Sequence, residues 1–125
     1  MTTVPDNGLE RIGDLLKNDS SYIAVGSGAN ESTTASSLGN REYAAQSSNS
    51  NVEFIETGST GEYEAIITIK GGTEVSAGTK ISEIGVFNGD PAASGALLFI
   101  DEFAGITVEA GHTEEFTVPI DPQRV

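Results

Sequence analysis

Glu62-Tyr63-Glu64-Ala65-Ile66-Ile67-Thr68-Ile69-Lys70 is the stretch on which the fold turns. In an extended chain Tyr63, Ala65, Ile67 and Ile69 share one side, while Glu64, Thr68 and Lys70 share the other with Ile66. Successive side chains of a strand point to opposite faces, so this alternation predicts a strand with one face in a core and the other toward water.

Similar runs lie on both sides. Downstream, Ile81 to Phe87 and Ala96 to Phe103 read as strands joined by the turn chemistry of Asn88-Gly89-Asp90-Pro91. Ile106 to Val108 is a short run, Ala110-Gly111-His112 a turn, and Glu115 to Ile120 sets Phe116, Val118 and Ile120 on one face. Upstream, Val52 and Phe54 alternate with Glu53, with Ile55 on the Glu53 face. Tyr22 to Val25 makes a short strand that Gly26-Ser27-Gly28 breaks. About six short strands spaced roughly ten residues apart predict a mainly β fold, an antiparallel sandwich or barrel, and of the two the sandwich is the fold expected.

Two segments depart from this pattern. In residues 6–18 the apolar side chains Leu9, Ile12, Leu15 and Leu16 have the spacing of one helix face. Asn7 and Glu10 could form a capping box, and Asn18 could end the helix. Gly8 and Gly13 each weaken an isolated helix by about 1 kcal/mol relative to Ala, so it needs a surface to pack on. Residues 29–51 are rich in Ser, Thr, Asn and Ala and predict a long polar arm or loop, anchored by Leu38 and Tyr43.

The chain has 125 residues, which fits a single β-rich domain over 1–125 with its strands across 52–120. Nineteen acidic residues against six basic ones give a net charge of −13. That balance argues against nucleic acid as a partner, since phosphate binding needs clustered Lys and Arg, and against an anionic membrane surface. With no cysteine there is neither a disulfide framework nor a thiolate zinc site. Met1 to Asp6 lacks the pattern of a secretory signal, and no stretch approaches the roughly 20 apolar residues of a membrane span. Three lysines among so many acids, with abundant small polar residues, suggest adaptation to concentrated salt, where charges are screened over a few ångströms.

No catalytic set emerges, and an enzyme is not expected. His112 is the only histidine and sits in a turn, and the serines lack a Gly-x-Ser-x-Gly elbow. Asp101-Glu102 and Glu114-Glu115 are adjacent acids that a strand would send to opposite faces. Asn88-Gly89-Asp90 reads as a hairpin turn rather than a calcium loop, and Gly26-Ser27-Gly28 lacks the third glycine of a dinucleotide site. Neither a cofactor nor a metal ligand set is expected. Asn18-Asp19-Ser20 and Asn30-Glu31-Ser32 match the glycosylation sequon.

One ordered set of features is more specific. A short helix containing Gly8-Leu9-Glu10-Arg11-Ile12 is followed by Tyr22-Ile23-Ala24-Val25-Gly26-Ser27-Gly28 and a small-residue loop ending near Leu38 and Arg41. Ile81-Ser82-Glu83-Ile84-Gly85-Val86-Phe87-Asn88 then precedes Gly95-Ala96-Leu97-Leu98 and the aromatic Phe103. This order resembles the N-terminal region of phage tail-collar fibre proteins, small virion structural proteins of tailed viruses. The likeness runs from Gly8 to Phe103, and Glu-Ile-Gly-Val-Phe-Asn is its most specific part. Two features depart from the family: Arg41 directly precedes Glu42, and tail-collar fibres continue into long receptor-binding regions.

The resemblance implies a structural subunit of a tailed virus particle, with a halophilic archaeon as host given the acidity. Attachment of a tail or baseplate fibre is the first position expected for it, and capsid surface decoration or a turret the second. A carbohydrate- or cation-binding receptor-recognition module is the alternative of another class. The expected partners are other copies of itself, in a trimer or ring, and other virion proteins. Leu38, Tyr43 and Phe87 are the candidate interface residues. Phe87, on the strand face opposite Ile84 and Val86, would meet either a neighbouring subunit or the chain's own helix through Leu9, Ile12 and Leu16.

Overall fold

The computed structural model describes residues 2–124. A helix, α1 (Asp6–Asp19), precedes seven strands: β1 (Tyr22–Gly26), β2 (Arg41–Gln46), β3 (Val52–Glu56), β4 (Tyr63–Lys70), β5 (Thr79–Phe87), β6 (Leu97–Val108) and β7 (Thr113–Ile120). A 3-10 turn, Pro122–Arg124, follows. The strands form two antiparallel sheets, one ordered β2-β1-β5-β6 and the other β3-β4-β7. They pack as a sandwich around one apolar core, to which Ile23, Val25, Tyr63, Ile67, Ile84, Val86 and Phe116 contribute.

The sheets differ in how many faces they bury. The three-stranded sheet buries one, so β4 and β7 alternate as an antiparallel sheet half in water should. The four-stranded sheet is covered on both faces around β1 and β5. A second cluster of Ala24, Leu38 and Phe87, with Tyr22, Ala44, Leu97 and Ile100 against it, lies on its outer side. Ile23 to Gly26 and Glu83 to Phe87 are therefore buried without interruption.

Several elements differ from the sequence expectation. The stretch 29–51 is not all loop, because Arg41–Gln46 is edge strand β2. Its sequence, Arg-Glu-Tyr-Ala-Ala-Gln, holds mostly weak strand formers, and pairing with β1 overrides that preference. The two runs Ala96 to Phe103 and Ile106 to Val108 merge into one strand, β6. Helix α1 is capped at Pro5, with no side-chain cap hydrogen bond, so the Asn7 capping box does not form.

The helix also docks elsewhere than over Phe87. A Cβ on Gly13 would lie 2.2 Å from Gly61 O, so this glycine brings the helix against the β3–β4 connection. Gly61 has φ +88°, and a Cβ there would meet Leu9 O at 2.3 Å. Two glycines thus let the helix and the turn touch backbone to backbone. At the helix end, Ser20 Oγ donates to Leu16 O at 2.8 Å and lies 3.1 Å from the buried Tyr63 hydroxyl.

Candidate functional site

The most organised polar feature is built on Glu83, which is 0% exposed. Ile81 and Ile84 both reach the core although three positions apart, which a plain strand cannot do. The register shift between Ile81 and Glu83, where Ser82 alone stands opposite residues 103–105 of β6, breaks the alternation and leaves Glu83 on the outer face. There its carboxylate accepts the backbone N–H groups of Gly28 and Asn40 on Oε2 and of Gly39 on Oε1, each at 2.9 Å. Charge-assisted bonds of this kind are stronger than neutral ones, and three of them offset the cost of burying the acid.

The clamp ties the β1–β2 connection down onto the sheet. Ser82 Oγ donates to Gly28 O at 2.8 Å, alongside the Glu83 contacts. Farther out, the loop's Glu31 accepts the Glu102 N–H of β6 at 3.0 Å. The loop can lie this low because a Cβ on Gly26 would come 2.4 Å from Asn40 O, and one on Gly28 2.6 Å from Asn40 N. Leu38, 7% exposed, closes over Phe87, which is 2% exposed. Gly85 makes room for both, since a Cβ there would meet Leu38 at 2.9 Å and Phe87 at 3.1 Å.

Two of the three candidate interface residues therefore pack against each other inside the chain and offer little surface to a neighbour. The cover over Phe87 is Leu38, not Leu9, Ile12 or Leu16. Tyr43 is half-buried on β2 and packs against the main core, with its hydroxyl accepting from Asn51 Nδ2 at 3.1 Å. The role of Glu83 was legible only as an acid interrupting an apolar run. Its partners lie 43 to 55 residues away, beyond any local pattern.

The other motifs resolve more simply. Asn88-Gly89-Asp90 is a hairpin connection: Asn88 N–H donates to Ala96 O at 3.0 Å and Asn88 Oδ1 accepts from Ala96 N at 2.7 Å. His112 is exposed in its turn. Ser20 of the first sequon is buried, whereas Asn30 of the second is exposed and donates to Ser37 O at 2.8 Å. Among the described residues no group of three or more His, Asp or Glu could hold a metal ion.

Among the described residues, Asp101 and Glu62 have shifted carboxyls. Burial pushes the Asp101 carboxyl up, and the nearby Glu31 adds to the rise through repulsion and a hydrogen bond. Hydrogen bonds, first from the Thr60 hydroxyl and then from backbone N–H groups, hold the partly buried Glu62 carboxyl below its usual range. A depression of about 380 Å³ beside the clamp is lined by Ser27, Lys80, Ser82, Glu102 and Phe103 among others. It has one aromatic wall, Phe103.

The arrangement is a scaffold that fixes a surface loop: its acid is fully buried and saturated by three backbone donors. The chain matches no protein-family model, and no curated protein is significantly similar to it.

Proposed function

We propose that the chain is a non-enzymatic structural subunit of a tailed virus particle adapted to concentrated salt. The fibre-attachment region of the tail or baseplate is its first position and capsid surface decoration its second. One observation carries this reading. The stretches that resemble tail-collar fibre proteins, 22–28, the loop around Leu38, 81–88 and 95–98, form one packed unit. Glu83 binds the first two by hydrogen bonds, and Leu38, Phe87 and Leu97 join the rest through apolar contacts. That these parts depend on one another physically supports reading them as one pattern.

The surface chemistry agrees with a salt-rich setting. Lys17 and Glu56 form a salt bridge at 3.9 Å, and the chain carries 19 acids against six basic residues. A net charge of −13 produces repulsion among surface acids that dissolved ions screen.

Labelling purified particles with an antibody to this chain, followed by cryo-electron microscopy of the labelled position, tests the proposal. Decoration at the tail or on the capsid supports it. Recovery of the chain only from the cytosol of infected cells overturns it. Saturable binding of the isolated chain to host-surface saccharide, without incorporation into particles, would favour the receptor-recognition module instead.

A further inference from the structure

Strands β6 and β7 are edge strands of different sheets and face each other along an open seam. Two depressions lie end to end in it. One, of about 400 Å³, is lined by Ile84, Asp101, Phe103, Ile106, Glu115 and Phe116 among others. The next, of about 290 Å³, continues along Phe99, Val118 and Ile120 and shares Asp101. The rings of Phe103 and Phe116, with centroids 5.7 Å apart, meet across the seam.

The backbone on one lip is unused. Thr68 N–H donates to Asn51 O, so even-numbered residues of β4 address the β3 side and odd-numbered ones address β7. The register then commits Glu114, Phe116, Val118 and Ile120 to the ladder with β4. Thr113, Glu115 and Thr117 turn their N–H and C=O groups to the free edge, where Pro119 costs no ladder bond. Among the described residues no backbone group pairs with this edge. On the opposite lip Glu31 already occupies the Glu102 N–H, so the β6 edge is obstructed at that position, whereas among the described residues no such bond is made at the β7 edge.

We infer that this seam receives an extended segment of a different, basic protein, which adds as a fourth strand beside β7 and lays alternate apolar side chains over Phe103 and Phe116. Strand addition uses the unpaired edge for affinity and the side-chain pockets for selectivity. Charge decides the kind of partner. The seam holds Asp101 and Glu115, with Glu31 beside Asp101, and neither depression is lined by a Lys or Arg. A desolvated acid facing an apolar groove is complementary to a Lys or Arg on the incoming strand. A second copy fits poorly: antiparallel pairing of two β7 edges centred on Glu115 sets like charges opposite, and each copy carries −13. The inference stands on the seam alone and holds whether or not the chain is a particle subunit.

Fluorescence anisotropy with the whole chain tests it, using labelled peptides of about eight residues that alternate Val, Ile or Leu with Thr, Lys or Glu. Peptides with Lys at the polar positions should bind roughly tenfold or more tighter than their Glu counterparts, with the gap narrowing in high salt. Hydrogen exchange should slow at Glu115 and Thr117 in the complex. Thr117→Pro removes an edge N–H and no ladder bond, so it should abolish binding while the unfolding midpoint stays close to that of the parent. Glu115→Lys should shift the preference toward the Glu peptides, which keeps the test decisive if the proline variant fails to fold. Absence of binding across the panel, equal binding of both charge classes, or binding unaffected by either substitution would overturn the inference. So would a concentration-dependent dimer that the Glu115→Lys change abolishes, since the edge would then belong to a second copy.

Discussion

Glu83 is the residue on which the outer face depends. Glu83→Gln keeps the size of the side chain but turns an amide donor toward three backbone N–H groups. Loss of charge-assisted bonds in a buried place should cost about 1–3 kcal/mol, and Glu83→Ala more, because the donors would then have no acceptor. Chemical denaturation should show the loss, and limited proteolysis should cut within 29–37 well before the sheets unfold. Asp101 behaves in the opposite sense. Its folded form holds a proton to higher pH than its ordinary value of 3.8, so the folded chain binds more protons than the unfolded chain above that value. Stability therefore falls as pH rises through the window between 3.8 and the raised folded value, and stays reduced above it. Asp101→Asn should raise the melting temperature at neutral pH, and the advantage should vanish once the pH drops below the ordinary carboxylate range.

At the scale of elements, the helix and the β1–β2 loop are held by shape rather than by propensity. Gly13→Ala improves intrinsic helix propensity by about 1 kcal/mol. The added methyl would nevertheless collide with the Gly61 backbone, where a Cβ stands 2.2 Å from the carbonyl oxygen. Thermal unfolding should show a net destabilisation, because backbone on both sides leaves little to yield. Phe87→Ser should unfold or strongly destabilise the isolated monomer, by about 3–5 kcal/mol on the scale of large-to-small core changes. Circular dichroism of the variant checks this. A folded variant that had lost only self-association would return Phe87 to the role of a subunit contact. Of the two glycine-containing stretches, Gly26-Ser27-Gly28 was read from the sequence as a breaker, and Gly39-Asn40 was not. That they bring backbone donors to one carboxylate was not visible, because the turn that unites them is closed by a residue on another strand.

For the whole molecule, a net charge of −13 makes ionic strength the external variable to vary first. The chain should lose structure at low salt and recover it in molar KCl or NaCl, as followed by circular dichroism. Screening relieves repulsion among surface acids, and salting-out strengthens the apolar core at the same time. A melting temperature indifferent to salt would refute that expectation. The open β6–β7 seam belongs to this scale too, since its acids and Pro119 discourage pairing between identical, acidic copies.

The alternation of Tyr63 to Ile69 and of Phe116 to Ile120 settled in advance that the chain builds antiparallel sheets with one face in a core, because period two is a local property of an extended backbone. The helix at Leu9 to Leu16 was likewise legible from its spacing. What only the tertiary structure decided is which side chains cover which faces: that Leu38 rather than α1 seals Phe87, that Arg41–Gln46 becomes a strand, and that Glu83 is a buried clamp. Each of these rests on contacts between segments distant in sequence, where steric fit and hydrogen bonding outweigh what any local pattern encodes.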